Sequence, residues 1–116
     1  MAEENLFPGF SEDEIYQKVE EAVRSVPEVV DFTASDFRNF IEGISYVFGI
    51  HPHRGMLIHR GKKGIKTDLS ISVVYGPRLD FVCEKIQRVV REVLCQMTSE
   101  PIRHINVVVT NIVRVK

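Results

Sequence analysis

Between His51 and Lys66 the chain carries Arg54, Arg60, Lys62, Lys63 and Lys66, with His51, His53 and His59 among them and no carboxylate. Five permanent cations within thirteen residues create a local positive field that could hold an RNA backbone, an anionic lipid or an acidic protein surface. The competing reading is internal: the same cations could neutralise the acidic N-terminal third of the chain. Gly61-Lys62-Lys63-Gly64 has the spacing of the GXXG clamp of KH domains. In that clamp the loop joins two helices. Here eleven residues of period-two alternation follow, so a solvated basic hairpin tip is expected. No Phe, Tyr or Trp falls between positions 51 and 66, so the window lacks the large aromatic platforms on which bases stack.

Other constellations are sparse. His51 and His53 are two apart, with no carboxylate or cysteine beside them at ligand spacing, and no metal site is expected. Ser70 and Ser72 lie in an alternating run and lack the turn that exposes a nucleophile. Neither a Walker lysine nor a glycine-rich loop opening a helix is present. No catalytic residue, cofactor or small-molecule substrate is therefore expected, and the chain reads as a non-enzyme. Cys83 and Cys95 are twelve apart in one expected helix, about 18 Å along its axis. That is beyond the roughly 7 Å a disulfide permits.

The elements that must position the basic window follow from periodicity. Residues 1–10 read as a flexible N-terminal arm and 11–116 as one α+β domain. Ser11-Glu12-Asp13-Glu14 is a capping box, and Ile15, Val19, Ala22, Val23 and Val26 recur at helical spacing up to Pro27. Val29 to Phe32 is a short β-rich piece. A second helix is expected after Thr33 or Ser35, with Phe37, Phe40, Ile41, Ile44, Val47 and Phe48 on one side and Gly49 as its stop, followed by a loop over 50–55. Met56–Arg60 and Ile65–Tyr75 form a hairpin around the basic tip. In its second strand Ile65, Thr67, Leu69, Ile71, Val73 and Tyr75 face a core, and Lys66, Asp68, Ser70 and Ser72 face water. Gly76-Pro77 opens a third helix whose apolar face is Leu79, Val82, Cys83, Ile86, Val89, Val90, Val93, Leu94 and Met97. On its other side Arg88 stands four residues from both Glu84 and Glu92. A last strand carries Ile105, Val107, Val109, Val113 and Val115. The order is ααββαβ, a small mixed three-stranded sheet with helices on one face. The last strand is parallel or antiparallel to its neighbour according to which hairpin strand it joins.

Composition is that of an ordinary globular domain, 44% apolar and 27% charged with net charge −1. The balance conceals a split. Residues 1–36 hold ten acids against two bases, net −8, and residues 37–116 hold six acids against thirteen bases, net +7. The acidic N-terminus has no apolar leader, and no apolar run approaches the roughly 20 residues of a membrane span, so a cytoplasmic protein is expected.

Several strings, in order, resemble one bacterial family: Val73-Val74-Tyr75-Gly76, Ile86-Gln87 with Val90 and Val93, Met97-Thr98, and Ile105-Asn106-Val107 with Val109. Together they span about residues 61–113, and Val26-Pro27-Glu28-Val29 is similar to the family's opening. The family is that of the alkaline shock proteins, or envelope stress response proteins of the general-stress type. The chain departs from it at Ser99 and Pro27, where glycine is usual, and in the long segment 33–54. The resemblance implies a small cytoplasmic protein linked to envelope homeostasis, held at the membrane in some members by an integral partner protein, with no established catalytic residues. The expected function is that of an interaction or scaffold protein acting through self-association and protein partners, with RNA or ribosome binding through the basic hairpin as the alternative. Expected contact surfaces are the aromatic face of the second helix (Phe37, Phe40, Phe48) and the edge of the last strand.

Overall fold

The computed structural model describes residues 7–33, 46–53, 55–61 and 63–114. Helix α1 spans Glu12–Arg24. The Ser11 hydroxyl accepts from the Glu14 amide at 3.2 Å, and the Glu14 carboxylate accepts from the Ser11 amide at 3.2 Å, so two N-terminal donors are satisfied reciprocally. Strands β1 (Val29–Phe32), β2 (Tyr46–His53), β3 (Met56–Gly61) and β4 (Gly64–Val74) follow, then helix α2 (Leu79–Met97) and strand β5 (Ile102–Val113). The expected arm is described from Phe7 onward, and Phe7 lies fully inside the core.

The α+β class and the helices on one sheet face are as expected, but the sheet has five strands, not three. β4 is its axis. Along one edge β3 pairs antiparallel with its first half and β1 antiparallel with its second half, and β5 runs parallel along the other edge. β2 joins antiparallel to β3. The parallel β4–α2–β5 arrangement resolves the alternative that the sequence leaves open.

β2 corrects the end of the expected second helix, whose residues 34–45 lie outside the described residues. Val47 and Phe48, its expected C-terminal turn, pair with His59 and Ile58 in the sheet, and the strand runs through Gly49 and the expected loop as far as His53. Aromatic and β-branched residues spaced three and four apart satisfy a helical pattern locally, and pairing with β3 overrides it. Phe37 and Phe40 lie outside the described residues.

α1 contributes Ile15, Tyr16, Val19 and Val23 to the core, and α2 contributes Val82, Ile86, Val90, Leu94 and Met97. They cover Met56, Ile58, Ile65, Leu69, Ile71, Val73 and Ile105 of the sheet. The Ile58 amide donates to the Tyr16 hydroxyl at 3.1 Å, which anchors α1 to β3. α2 is tied to β5 by Gln87 Nε2 to the Ile105 carbonyl at 2.9 Å and Arg91 Nη1 to the Ile102 carbonyl at 2.8 Å.

The opposite sheet face corrects another expectation. Asp68, Ser70 and Ser72 are buried, and Lys66 is half-buried. Each of the three buried groups faces a partner on a neighbouring strand or its extension, so protein replaces water there. Ser70 Oγ lies 2.8 Å from Thr33 Oγ1, which lies 2.6 Å from Thr110 Oγ1. Ser72 Oγ lies 3.4 Å from the Asp31 carbonyl oxygen. The backbone hands over from β3 to β1 at Ser70, whose amide donates to the Gly55 carbonyl and whose carbonyl accepts from the Thr33 amide.

Candidate functional site

The expected basic site is assembled only in part among the described residues. Arg54 and Lys62 lie outside them, and Arg60 is placed by its backbone alone, opposite Ile65 in the β3–β4 register. Lys63 is exposed at the hairpin turn. Its carbonyl accepts from Arg103 Nε at 2.7 Å, which brings the start of β5 against the turn. Lys66 stands between His59 of β3 and His104 of β5 in the pairing register. Arg103 and His104, about forty residues beyond the hairpin, extend this basic end. Sequence reasoning missed both, because only the parallel β4–β5 register places them there.

Beside Lys66 sits a charged relay across three strands. His59 Nε2 is 2.8 Å from Asp68 Oδ2, and Asn106 Nδ2 donates to Asp68 Oδ1 at 2.9 Å. Burial pushes the Asp68 carboxyl up, but the hydrogen bonds from His59 and Asn106 and the charges of His59 and Lys66 outweigh it and hold the group below its ordinary value. An ionised carboxylate only accepts hydrogen bonds, so the His59 proton on this side is on Nε2. His59 Nδ1 is buried and has no hydrogen-bond partner among the described residues. The relay fastens strands together and presents no nucleophile.

A second feature lies at the other end of the sheet, where β4 passes into α2. Tyr75 is 62% exposed, Phe81 52%, Ile112 46% and Leu79 39%, so Tyr75 and Leu79, expected on core faces, stand outside the core because β4 and α2 end or begin there beyond the packed layers. These four are among the seven large apolar side chains exposed among the described residues. Tyr75, Leu79 and Ile112 line a depression of about 300 Å³ with Val74, Gly76 and Pro77. Pro77 also borders an open groove of about 640 Å³, with Arg78, Phe81, Val82, Lys85 and Arg88 among its lining residues. The two hollows share Pro77 at the β4–α2 turn.

Arginines lie over two of the exposed rings: the Arg78 guanidinium carbon is 4.4 Å from the centre of Phe81, and that of Arg114 is 4.7 Å from the centre of Tyr75. Arg78 also grips Asp80 through two bonds, at 2.8 and 3.2 Å. Glu28 closes the groove's side, its Oε2 accepting from Lys85 Nζ at 2.6 Å. That bond, and next one from its own backbone, hold the Glu28 carboxyl below its ordinary value. The ion pairs expected between Arg88 and Glu84 or Glu92 are not formed among the described residues, and Arg88 borders the groove instead.

The signal for this corner was partly visible. Phe81 falls out of the helical phase set by Val82, Ile86, Val90 and Leu94, so α2 must turn it outward. Both cysteines are free, and burial, then Asp80, pushes the Cys83 thiol up, away from reactivity.

No helix among the described residues is long and apolar enough to cross a membrane. Residues 9–114 match the family model of the alkaline shock proteins, described by a cell envelope-related function. No curated protein and no solved structure matches the chain.

Proposed function

The chain belongs to the alkaline shock protein family, and from that premise we propose that it is a non-enzymatic interaction protein, a scaffold working through self-association and protein partners at the cytoplasmic side of the envelope. The observation that carries this reading is the β4–α2 corner. Tyr75, Leu79, Phe81 and Ile112 are exposed together there and flanked by arginines. Aromatic rings with arginine are the composition in which binding energy concentrates at protein interfaces. Burying them against a partner would return roughly 25 cal/mol for each Å² of apolar surface removed from water.

Self-association draws on the charge split. The outward side of α1 exposes Asp13, Glu14 and Glu21, and Lys63, Arg103 and His104 are exposed at the hairpin end. Surfaces of opposite sign on one chain favour a contact between copies, which added salt would weaken. A membrane-anchored partner would hold the protein at the envelope without a span of its own.

The test is sedimentation of the purified chain together with a pull-down that includes the membrane fraction, run with and without nuclease. An oligomer or a protein partner that persists after nuclease is expected. A strictly monomeric protein that captures no protein would end this reading.

A further inference from the structure

Resting on the self-association part of the reading just given, but placed on another surface, we infer that two copies of the chain join edge to edge along β5. The two strands run antiparallel in a register centred on Val108, and the two sheets become one.

β5, twelve residues long, is the longest strand among the described residues, and it pairs there with β4 alone. Its outer edge therefore offers backbone donors and acceptors to another strand. Sheet edges are normally blunted by short length, charge, proline or a cover. The sheet's other edge strands carry such devices: β1 has four residues and includes Asp31, and β2 contains Pro52 and a register shift. From Ile105 to Val113, β5 has neither a charged residue nor a proline. Most of its residues there are β-branched, the type that suits a strand. α2 covers only the start of the edge, where Arg91 holds the Ile102 carbonyl and Gln87 the Ile105 carbonyl.

These contacts fix the register. Asn106 and Val108 pair with Asp68 and Ser70 on the sheet face away from the helices, and Val107 and Val109 pair with Leu69 and Ile71 on the core face. Residues directly opposite each other in a sheet share a face. Two identical antiparallel strands meet that condition only if the two-fold axis passes through a residue. Alternate residues turn their backbone groups to the same edge, so Val107 and Val109 share the phase of Ile105. A seam centred on Val107 would need the Ile105 carbonyl that Gln87 holds. A seam centred on Val108 uses Val107 and Val109, each opposite the other in the second copy, with about four backbone hydrogen bonds. Beyond Val109 the register slips against β4 before Asn111, which ends the regular stretch.

The side chains suit this pairing. Val108, half-exposed, meets Val108 of the second copy. Val107 and Val109, already packed against the core, extend it across the seam. Asn106 stands opposite Thr110 of the second copy. Arg103, His104 and Arg114 lie outside the stretch, so no like charges are opposed within it. This self-matching register commits the edge to a second copy, and a two-fold contact closes at a dimer.

The experiment is sedimentation equilibrium of the full chain over a concentration series, with amide exchange at the same concentrations. A dimer is expected, and the Val107 and Val109 amides should gain protection as concentration rises. Val108→Lys sets two ammonium groups face to face and should raise the dissociation constant about tenfold or more. Val108→Asp should do the same. Mixed together, the two variants should recover a heterodimer, because position 108 faces itself. Circular dichroism of each variant checks the fold, and if either is perturbed, the concentration dependence of the Val107 and Val109 amides in the native chain decides.

An oligomer that both variants leave intact, a mixture that stays monomeric, or Val107 and Val109 amides indifferent to concentration would overturn the inference. These failures are distinct from failure of the underlying reading. An oligomer untouched by the variants leaves self-association standing and excludes this edge. A monomer that captures a protein partner in the pull-down leaves the interaction reading standing without this seam. A monomer that captures nothing ends both.

Discussion

His59 and Asp68 meet at 2.8 Å on the sheet face away from the helices, and both are buried. They belong to adjacent strands, and Asn106 from the far side of β4 completes the set through the other carboxylate oxygen. One charge therefore joins β3, β4 and β5. The contact works in two directions. A buried carboxylate without these donors would be costly, and with them it resists separation of the strands. Lys66, half-buried on the same face, adds a favourable charge.

Stability should therefore fall in acid through Asp68. Its carboxyl titrates below the ordinary value in the folded chain, so the native state binds its proton less readily than the unfolded state. The contribution is fully present above the unfolded value of about 3.9 and is lost as pH falls through the lower folded value. Glu28, depressed by Lys85, acts in the same direction. Urea unfolding at pH 7 and at pH steps below about 4 should show this decline. Asp68→Asn should cost about 3 kcal/mol at neutral pH and flatten the acid dependence. An unchanged acid slope in that variant would place the titration elsewhere.

Tyr16 supplies a second test, on the contact between α1 and the sheet. Its hydroxyl is the acceptor for the Ile58 amide, inside the core. Tyr16→Phe keeps the ring and its packing and leaves that donor without this partner. A loss of about 1–2 kcal/mol is expected. Native-state hydrogen exchange should show the Ile58 amide exchanging faster, while amides in the middle of α2 follow only the global change.

How much of this was legible in the sequence depends on whether an element is decided locally. The Ser11–Glu14 capping box, the phase of α2 and the alternation of β4 are local and were readable residue by residue. β2 was not, because its strand character comes from pairing with β3 while its apolar spacing suits a helix. Alternation correctly separated the two faces of β4 but could not tell that Asp68 and Ser70 are dry. Dryness depends on His59, Asn106, Thr33 and Thr110, supplied by other strands and their extensions. The aromatic corner needs the parallel β4–β5 register to bring Ile112 and Arg114 to Tyr75. The basic window was visible as composition, but its extension by Arg103 and His104 required the same register.

The alternative of RNA binding gives a sharp expectation at the hairpin. Lys62→Glu combined with Lys63→Glu reverses the charge of the tip, and Lys63 is exposed. If the tip held phosphates, retention of RNA would fall in this variant and would fall steeply with salt in the native chain. The interaction reading expects no salt-sensitive RNA retention to lose, and capture of a protein partner unchanged by the double substitution. A filter-binding series in rising salt, read beside the pull-down, distinguishes the two.

Gly55 and Gly76 separate backbone conformation from space. Both have positive φ, +72° and +125°. A Cβ on Gly55 would lie 2.7 Å from the Ser70 carbonyl oxygen and 2.7 Å from that of Thr33, both backbone atoms at the point where β4 changes partner from β3 to β1. The Ser70 carbonyl cannot retreat without breaking its hydrogen bond from the Thr33 amide, which holds the handover. A Cβ on Gly76 would meet nothing within 4 Å. Gly76→Ala should therefore cost only the conformational strain of about 1–2 kcal/mol, with the sheet intact. Gly55→Ala should cost more than about 3 kcal/mol, strain and collision together, and should loosen the amides of Thr33 and Ser70 first. Thermal melts of the two variants with amide exchange at those residues decide it: equal losses would mean that conformation alone, and not the crowding at Ser70, makes glycine necessary at position 55.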